Sequence, residues 1–167
     1  MEVWTGRGLV THYVLFVISL ADRVVEVLGI TAAPGEAWML QTGRSLVDCE
    51  SGALRGKRYL IIDRETKYTE QFRRSVREAG TEVIPLPPRL PNLNAHAERF
   101  VRSIQDECLN RMIFVGQASL RRAVSEYMTH CHEKRNHRRL DNRLTRQDPS
   151  LPADGGCVMR RARLGGC

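Results

Sequence analysis

The unbroken apolar run Tyr59-Leu60-Ile61-Ile62, set between two stretches of helical periodicity, restricts the fold more than any other part of the chain. Apolar residues without alternation predict a strand with both faces buried, as in parallel sheets covered by helices. Ahead of it, Ala37 to Cys49 carries Ala37, Leu40, Leu46 and Val47 at roughly helical spacing, interrupted by Gly43. Behind it, Glu70 to Ala79 places Phe72, Val76 and Ala79 inward and Arg73, Arg74 and Arg77 outward, with Gly80 following as the stop. Glu82-Val83-Ile84 reads as one more short strand. A helix between two strands of a sheet implies a parallel crossover. The apolar run ends on Asp63, and in open α/β sheets the ligand crevice lies outside such strand ends.

The N-terminal part is β-rich. Glu2-Val3-Trp4-Thr5 is closed by Gly6-Arg7-Gly8, a turn of the type that joins antiparallel strands. Leu9 to Leu20, rich in Val, Ile, Tyr and Phe, predicts one long strand, and Val24 to Ile30 returns as a third, giving a three-stranded meander. The first strand is short for the partner it must pair with.

A second carboxylate is placed by backbone chemistry. Prolines at 85, 87, 88 and 91 force an extended approach, since proline fixes φ and excludes the preceding residue from the α region. Asn92 and Asn94 then offer N-cap chemistry. Leu93, Ala97, Phe100, Val101, Ile104 and Cys108 form one apolar helical stripe, with Asn94, Glu98, Arg102 and Gln105 along its flank. Glu98 thus stands near a helix N-terminus. A further helix from Ala118 to His132 has Leu120, Val124, Tyr127, Met128 and Cys131 as its apolar face.

The chain's 167 residues suit one domain with a core of its own, and its net charge of +7 attracts polyanions, with nucleic acid the leading class. Lys134, Arg135, Arg138, Arg139, Arg143 and Arg146 crowd one segment, which reads either as a solvated, partly disordered tail or as side chains that contact phosphates. The longest largely apolar stretch, Tyr13 to Leu20, is too short to span a bilayer, and the first residues lack the marks of a signal peptide. A cytoplasmic protein with no membrane partner and no small-molecule substrate is expected. The cysteines at 49, 108, 131, 157 and 167 are scattered, without zinc-site spacing, and read as free thiols.

The element order, together with Asp63 and Glu98 separated by 34 residues, resembles the retroviral-integrase and insertion-sequence transposase superfamily, a DDE-type, ribonuclease H-like group. The letters agree in three places: Thr66-Lys67-Tyr68 after Asp63, Leu90-Pro91-Asn92-Leu93-Asn94-Ala95-His96-Ala97-Glu98, and an ending with Tyr127, Arg135, His137 and Leu140. The resemblance covers residues 1–146 and leaves 147–167 as a flexible tail. It implies an α/β fold with a mixed five-stranded sheet, three antiparallel strands followed by parallel ones, flanked by helices. It also implies metal-dependent strand transfer on DNA, with Asp63 and Glu98 as catalytic ligands of Mg2+ or Mn2+. Such enzymes use two ions to clamp the attacking and leaving oxygens of an in-line displacement. Lys67, Asn94 and Arg102, with Lys134, Arg135, Arg138 and Arg139, are the implied DNA contacts, and a homo-oligomer on DNA ends is the implied assembly.

One departure bears on activity. The family has a third carboxylate on its first strand, where this chain has only Glu2, so the resemblance implies that the first Asp falls ahead of Met1 and that catalysis is impaired. A non-catalytic nucleic-acid-binding remnant of a transposase is the alternative. A cellular ribonuclease of the same fold accounts less well for the Glu98 segment and the basic ending.

Overall fold

The computed structural model describes residues 1–63, 65–87 and 94–133. Among these residues six strands and four α-helices follow in the order β1 (Glu2–Thr5), β2 (Gly8–Thr11), β3 (Tyr13–Ile18), β4 (Val25–Thr31), α1 (Glu36–Leu46), β5 (Tyr59–Ile62), α2 (Glu70–Glu78), β6 (Glu82–Pro85), α3 (Ala95–Glu107) and α4 (Gly116–Glu133), with a 3-10 turn at Leu109–Arg111 between the last two. The ladders are two-stranded: β1 with β2, β3 with β4, β5 with β6. The element order is that of the expected mixed α/β fold, while a single five-stranded sheet is not seen among the described residues.

The long strand expected from Leu9 to Leu20 is divided at His12. Up to that point it pairs with β1, and the pairing ends where the His12 N–H donates to the Met1 carbonyl at 2.7 Å and the Met1 amino group donates to the His12 carbonyl at 3.1 Å. Beyond it, β3 takes β4 as its antiparallel partner, from Tyr13 opposite Thr31 to Ile18 opposite Val25, with a bulge at Leu15/Phe16. The change of partner, not a change of propensity, makes two strands of one apolar run.

Two compact units are present. The first comprises Met1, Thr11–Ile18 and Val25–Glu98. Its core is Met39, Leu46, Leu54, Leu60, Ile62, Phe72, Val76 and Val83, with Leu15, Val17, Leu28, Trp38 and Tyr68 packed against it. Burying a large apolar side chain contributes about 1.5–3 kcal/mol. β5 and β6 are parallel, Tyr59 beside Glu82 through Ile62 beside Pro85, with α2 between them in the chain, whereas β4 and β5, the strands on either side of α1, belong to different ladders among the described residues. β5 is not buried on both faces: Leu60 and Ile62 enter the core, while Tyr59 and Ile61 are 50% and 41% exposed. Helices cover one side of this ladder in the unit, so the unbroken run splits into an inner and an outer pair.

Gly43 does not interrupt α1. It is buried, and a Cβ there would lie 3.0 Å from Phe72 Cδ2, so the missing side chain lets α2 come close. The buried face of α1 is accordingly Met39, Thr42, Gly43 and Leu46, whereas Ala37, expected inward, is exposed. In α2, Phe72 and Val76 are inward as expected, and Ala79 is exposed because it already caps the helix. Gly80, with φ 88°, adopts the left-handed conformation that ends helices.

The second unit comprises Glu2–Val10, Ser19–Val24 and the described residues from Arg99 onward. The Trp4 N–H donates to the Phe114 carbonyl at 2.8 Å, and a parallel bridge joins Trp4 to Val115. α4 buries Leu120, Val124, Tyr127, Met128 and Cys131, all five residues of its expected face. The helix begins at Gly116, with φ 72°, two residues ahead of the expected start at Ala118. No helix among the described residues is long and apolar enough to cross a membrane. Cys49, Cys108 and Cys131 are free thiols; Cys157 and Cys167 lie outside the described residues.

Candidate functional site

Asp63 follows directly on β5. The ladder holds the strand to its last residue, with the Leu86 N–H donating to the Ile62 carbonyl at 2.9 Å, and Asp63 then emerges exposed. The loop behind it is tightly fastened. The Tyr68 N–H donates to the Glu65 carbonyl at 3.2 Å and the Thr69 N–H to the Lys67 carbonyl at 3.0 Å. Thr69 caps α2, its hydroxyl oxygen accepting from the Phe72 N–H at 3.3 Å. The Tyr68 ring lies against Phe72, centroids 5.4 Å apart and planes tilted by 52°, which ties the loop into the core.

The electrostatics of this loop are shared. Burial raises the pKa of the Tyr68 phenol above its ordinary value, and the Glu65 and Asp63 carboxylates push it further the same way. Lys67 forms an ion pair with Glu65, Nζ to Oε2 2.8 Å, and its ammonium also stands 4.3 Å from the centroid of the Tyr13 ring. Tyr13 is the first residue of β3, so the start of that strand meets the loop that follows β5. Asp63, Glu65, Lys67, Tyr68 and Tyr13 thus gather at one strand end.

Glu98 occupies the first turn of α3, where a carboxylate opposes the positive end of the helix dipole. It is exposed, and Asn94 just ahead of the helix is half-buried. Arg102, one turn further along, is exposed too. On the core side Ile104 and Cys108 are buried and Ala97, Phe100 and Val101 half-buried, which is the stripe read from the sequence, with Leu93 outside the described residues. Asp63 and Glu98 fall in the same compact unit, the first. Lys134, Arg135, Arg138 and Arg139, His137 and Leu140, and the expected boundary at 146 lie outside the described residues.

Tyr13 carries no mark in the sequence, since it opens an apolar run and touches the site only through the fold. Glu65 and Tyr68 were visible as letters beside Asp63, but their shared charge environment depends on burial that only packing reveals. Among the described residues no group of three or more His, Cys, Asp or Glu is brought together in a way that could hold a metal ion.

Residues 79–144 match the family model described as integrase core domain. No curated protein matches the chain. Among solved structures, the chain superposes on a chain of the cryo-EM structure of the simian T-cell lymphotropic virus intasome in complex with PP2A regulatory subunit B56 gamma, with a TM-score of 0.58 and 10% sequence identity. That alignment covers 100% of this chain and 62% of the other, so the protein spans less than two thirds of its structural neighbour's length. At this identity the likeness is one of fold. The family match lies over β6, α3 and α4 and the fold likeness over the whole chain, and together they support an integrase catalytic-core-like domain.

Proposed function

We propose that the protein acts on DNA in an integration or transposition reaction, with Asp63 and Glu98 as the carboxylates of the reacting centre. The observation that carries this reading is the integrase core match over residues 79–144, which contains Glu98. The reaction class is phosphodiester strand transfer. Asp63 and Glu98 are the residues that would hold Mg2+ or Mn2+, ions that prefer hard oxygen donors and that, when bound, neutralise charge on the phosphate oxygens. Lys67, Asn94 and Arg102, together with Lys134, Arg135, Arg138 and Arg139, supply contacts to the DNA backbone. The net charge of +7 favours that encounter without favouring any base sequence. A homo-oligomer on DNA ends is the assembly proposed.

A second reading, DNA binding without strand transfer, is favoured by the acid content of the first strand. On β1 the sole acid is Glu2, which is exposed. One experiment separates the two. The chain is incubated with labelled duplex ends, a target duplex, and Mg2+ or Mn2+, and both joined products and retained DNA are measured. Joining that disappears in Asp63→Asn and in Glu98→Gln, with binding retained, supports the enzyme. Binding that weakens steeply with salt but yields no joining supports the second reading. A chain that neither joins nor retains DNA refutes both.

A further inference from the structure

We propose that Lys67 is a preset phosphate-binding cation, held by the ring of Tyr13, with the Glu65 carboxylate occupying the place of a phosphodiester oxygen until DNA displaces it. This rests on the DNA reading given above and adds to it a positioning residue, Tyr13, and an exchange step.

The geometry has three parts. The Lys67 backbone is pinned, because its carbonyl accepts the Thr69 N–H at 3.0 Å in the turn that leads into α2. Its ammonium lies 4.3 Å from the Tyr13 centroid, within the range of roughly 6 Å at which a cation is attracted to a ring face. Tyr13 is itself held by strand pairing, opposite Thr31. The third part is Glu65, whose Oε2 lies 2.8 Å from the Lys67 Nζ.

An ammonium has three donors, so one bound carboxylate and one ring face leave capacity for another oxygen. The Lys67 side chain is 33% exposed and that of Glu65 54%, so the pair is open to an incoming anion and worth little in itself. Replacing a carboxylate oxygen by a phosphate oxygen exchanges one charged hydrogen bond for another. Only the Glu65 side chain has to swing away, since the Glu65 carbonyl stays bonded to the Tyr68 N–H. The aromatic ring holds its side of the ammonium whichever anion is bound, so it keeps the cation aimed while the anions change places.

The two neighbours of Lys67 therefore have opposite effects on DNA binding. The test is the affinity of the full chain for a short fluorescent duplex, by anisotropy over a series of salt concentrations. Lys67→Gln is expected to weaken binding and lower the salt slope by about one. Tyr13→Leu is expected to weaken it by about two- to fivefold, Tyr13→Phe to leave it unchanged, and Glu65→Gln to strengthen it by about twofold. In the Lys67→Gln background the effects of Tyr13→Leu and Glu65→Gln should both vanish. If either persists there undiminished, the proposal is overturned, because Tyr13 or Glu65 then acts otherwise than through Lys67. The anchor is read separately without DNA, as the upfield ring-current shift of the Lys67 ε-methylene protons, kept in Tyr13→Phe and lost in Tyr13→Leu. Absence of that shift in the parent chain overturns the anchor whatever the binding shows. A chain with the shift that binds no duplex overturns the DNA reading instead.

Discussion

Asp63 and Glu98 belong to one unit yet are held by different physics. Asp63 depends on tertiary packing: β5 is fixed by β6, and the loop behind Asp63 is fixed by Tyr68 on Phe72, by the Thr69 cap and by Lys67 against Tyr13. Glu98 depends on one helix, placed in its first turn by the start of α3. A strand-end carboxylate therefore takes its position from elements far away in sequence, whereas a helix-borne one takes it from the helix axis.

The largest expected effect tests that contrast in Phe72, which packs on Tyr68 of the Asp63 loop, and in Phe100, two residues after Glu98 on α3. Phe72 is 1% exposed, and its removal opens a cavity beneath Tyr68 and beside Gly43. Phe72→Ala should cost about 3–5 kcal/mol. Phe100 is only half-buried, its ring 6.4 Å from Tyr127, and Phe100→Ala should cost about half as much. Urea unfolding of the two variants measures both values. An equal loss would show that α3 leans on its aromatic contact as heavily as the Asp63 loop leans on Phe72.

The same contrast explains what the sequence revealed. The α4 face, Leu120 through Cys131, was legible because helical periodicity survives when one side of a helix is buried. Asp63 was legible because it ends an apolar run, and Gly80 because helix stops have a local conformational cause. Three things were not legible. The inner and outer faces of β5 depend on what packs there, and an unbroken apolar run does not encode that. The face of α1 turned by about one residue, to Met39 and Gly43, because Phe72 needed the space that a glycine leaves. Tyr13 entered the site only because β3 begins where β5 ends, a matter of topology and not of spacing. The DNA contacts expected at Lys134, Arg135, Arg138 and Arg139 remain readings of charge alone.

A smaller effect sharpens the comparison at the loop itself. The Thr69 hydroxyl satisfies the Phe72 N–H at the start of α2, so Thr69→Ala should cost about 1 kcal/mol. Thr69→Ser, which keeps the oxygen, should restore most of it. Urea midpoints of the two variants give the difference, and equal losses in both would mean that the methyl packing rather than the cap holds the turn.

The smallest effect concerns pH and two tyrosines, the half-buried Tyr68 in one unit and the buried Tyr127 in the other. Tyr68 has its pKa raised first by burial and then by Glu65 and Asp63. Tyr127 has its own raised first by burial, with smaller contributions from Cys131 and Glu107 in the same direction and an opposing hydrogen bond from Ser103. An unfolded tyrosine ionises near about pH 10. A phenol whose folded value lies higher binds its proton more tightly in the folded chain, so its contribution to stability is complete below about pH 10 and is lost as pH rises toward the folded value. Each tyrosine should therefore add to a decline in stability above about pH 10, and Tyr68→Phe should remove only its own share. The carboxylates then separate the two regions. In Asp63→Asn the Tyr68 phenolate should appear at lower pH, because one of the charges that oppose its ionisation has gone, while the Tyr127 phenolate should appear where it did before. Phenolate absorbance in the single Tyr→Phe variants assigns each transition. If Asp63→Asn moved both tyrosines equally, the charge environment attributed to the Asp63 loop would not be local to it.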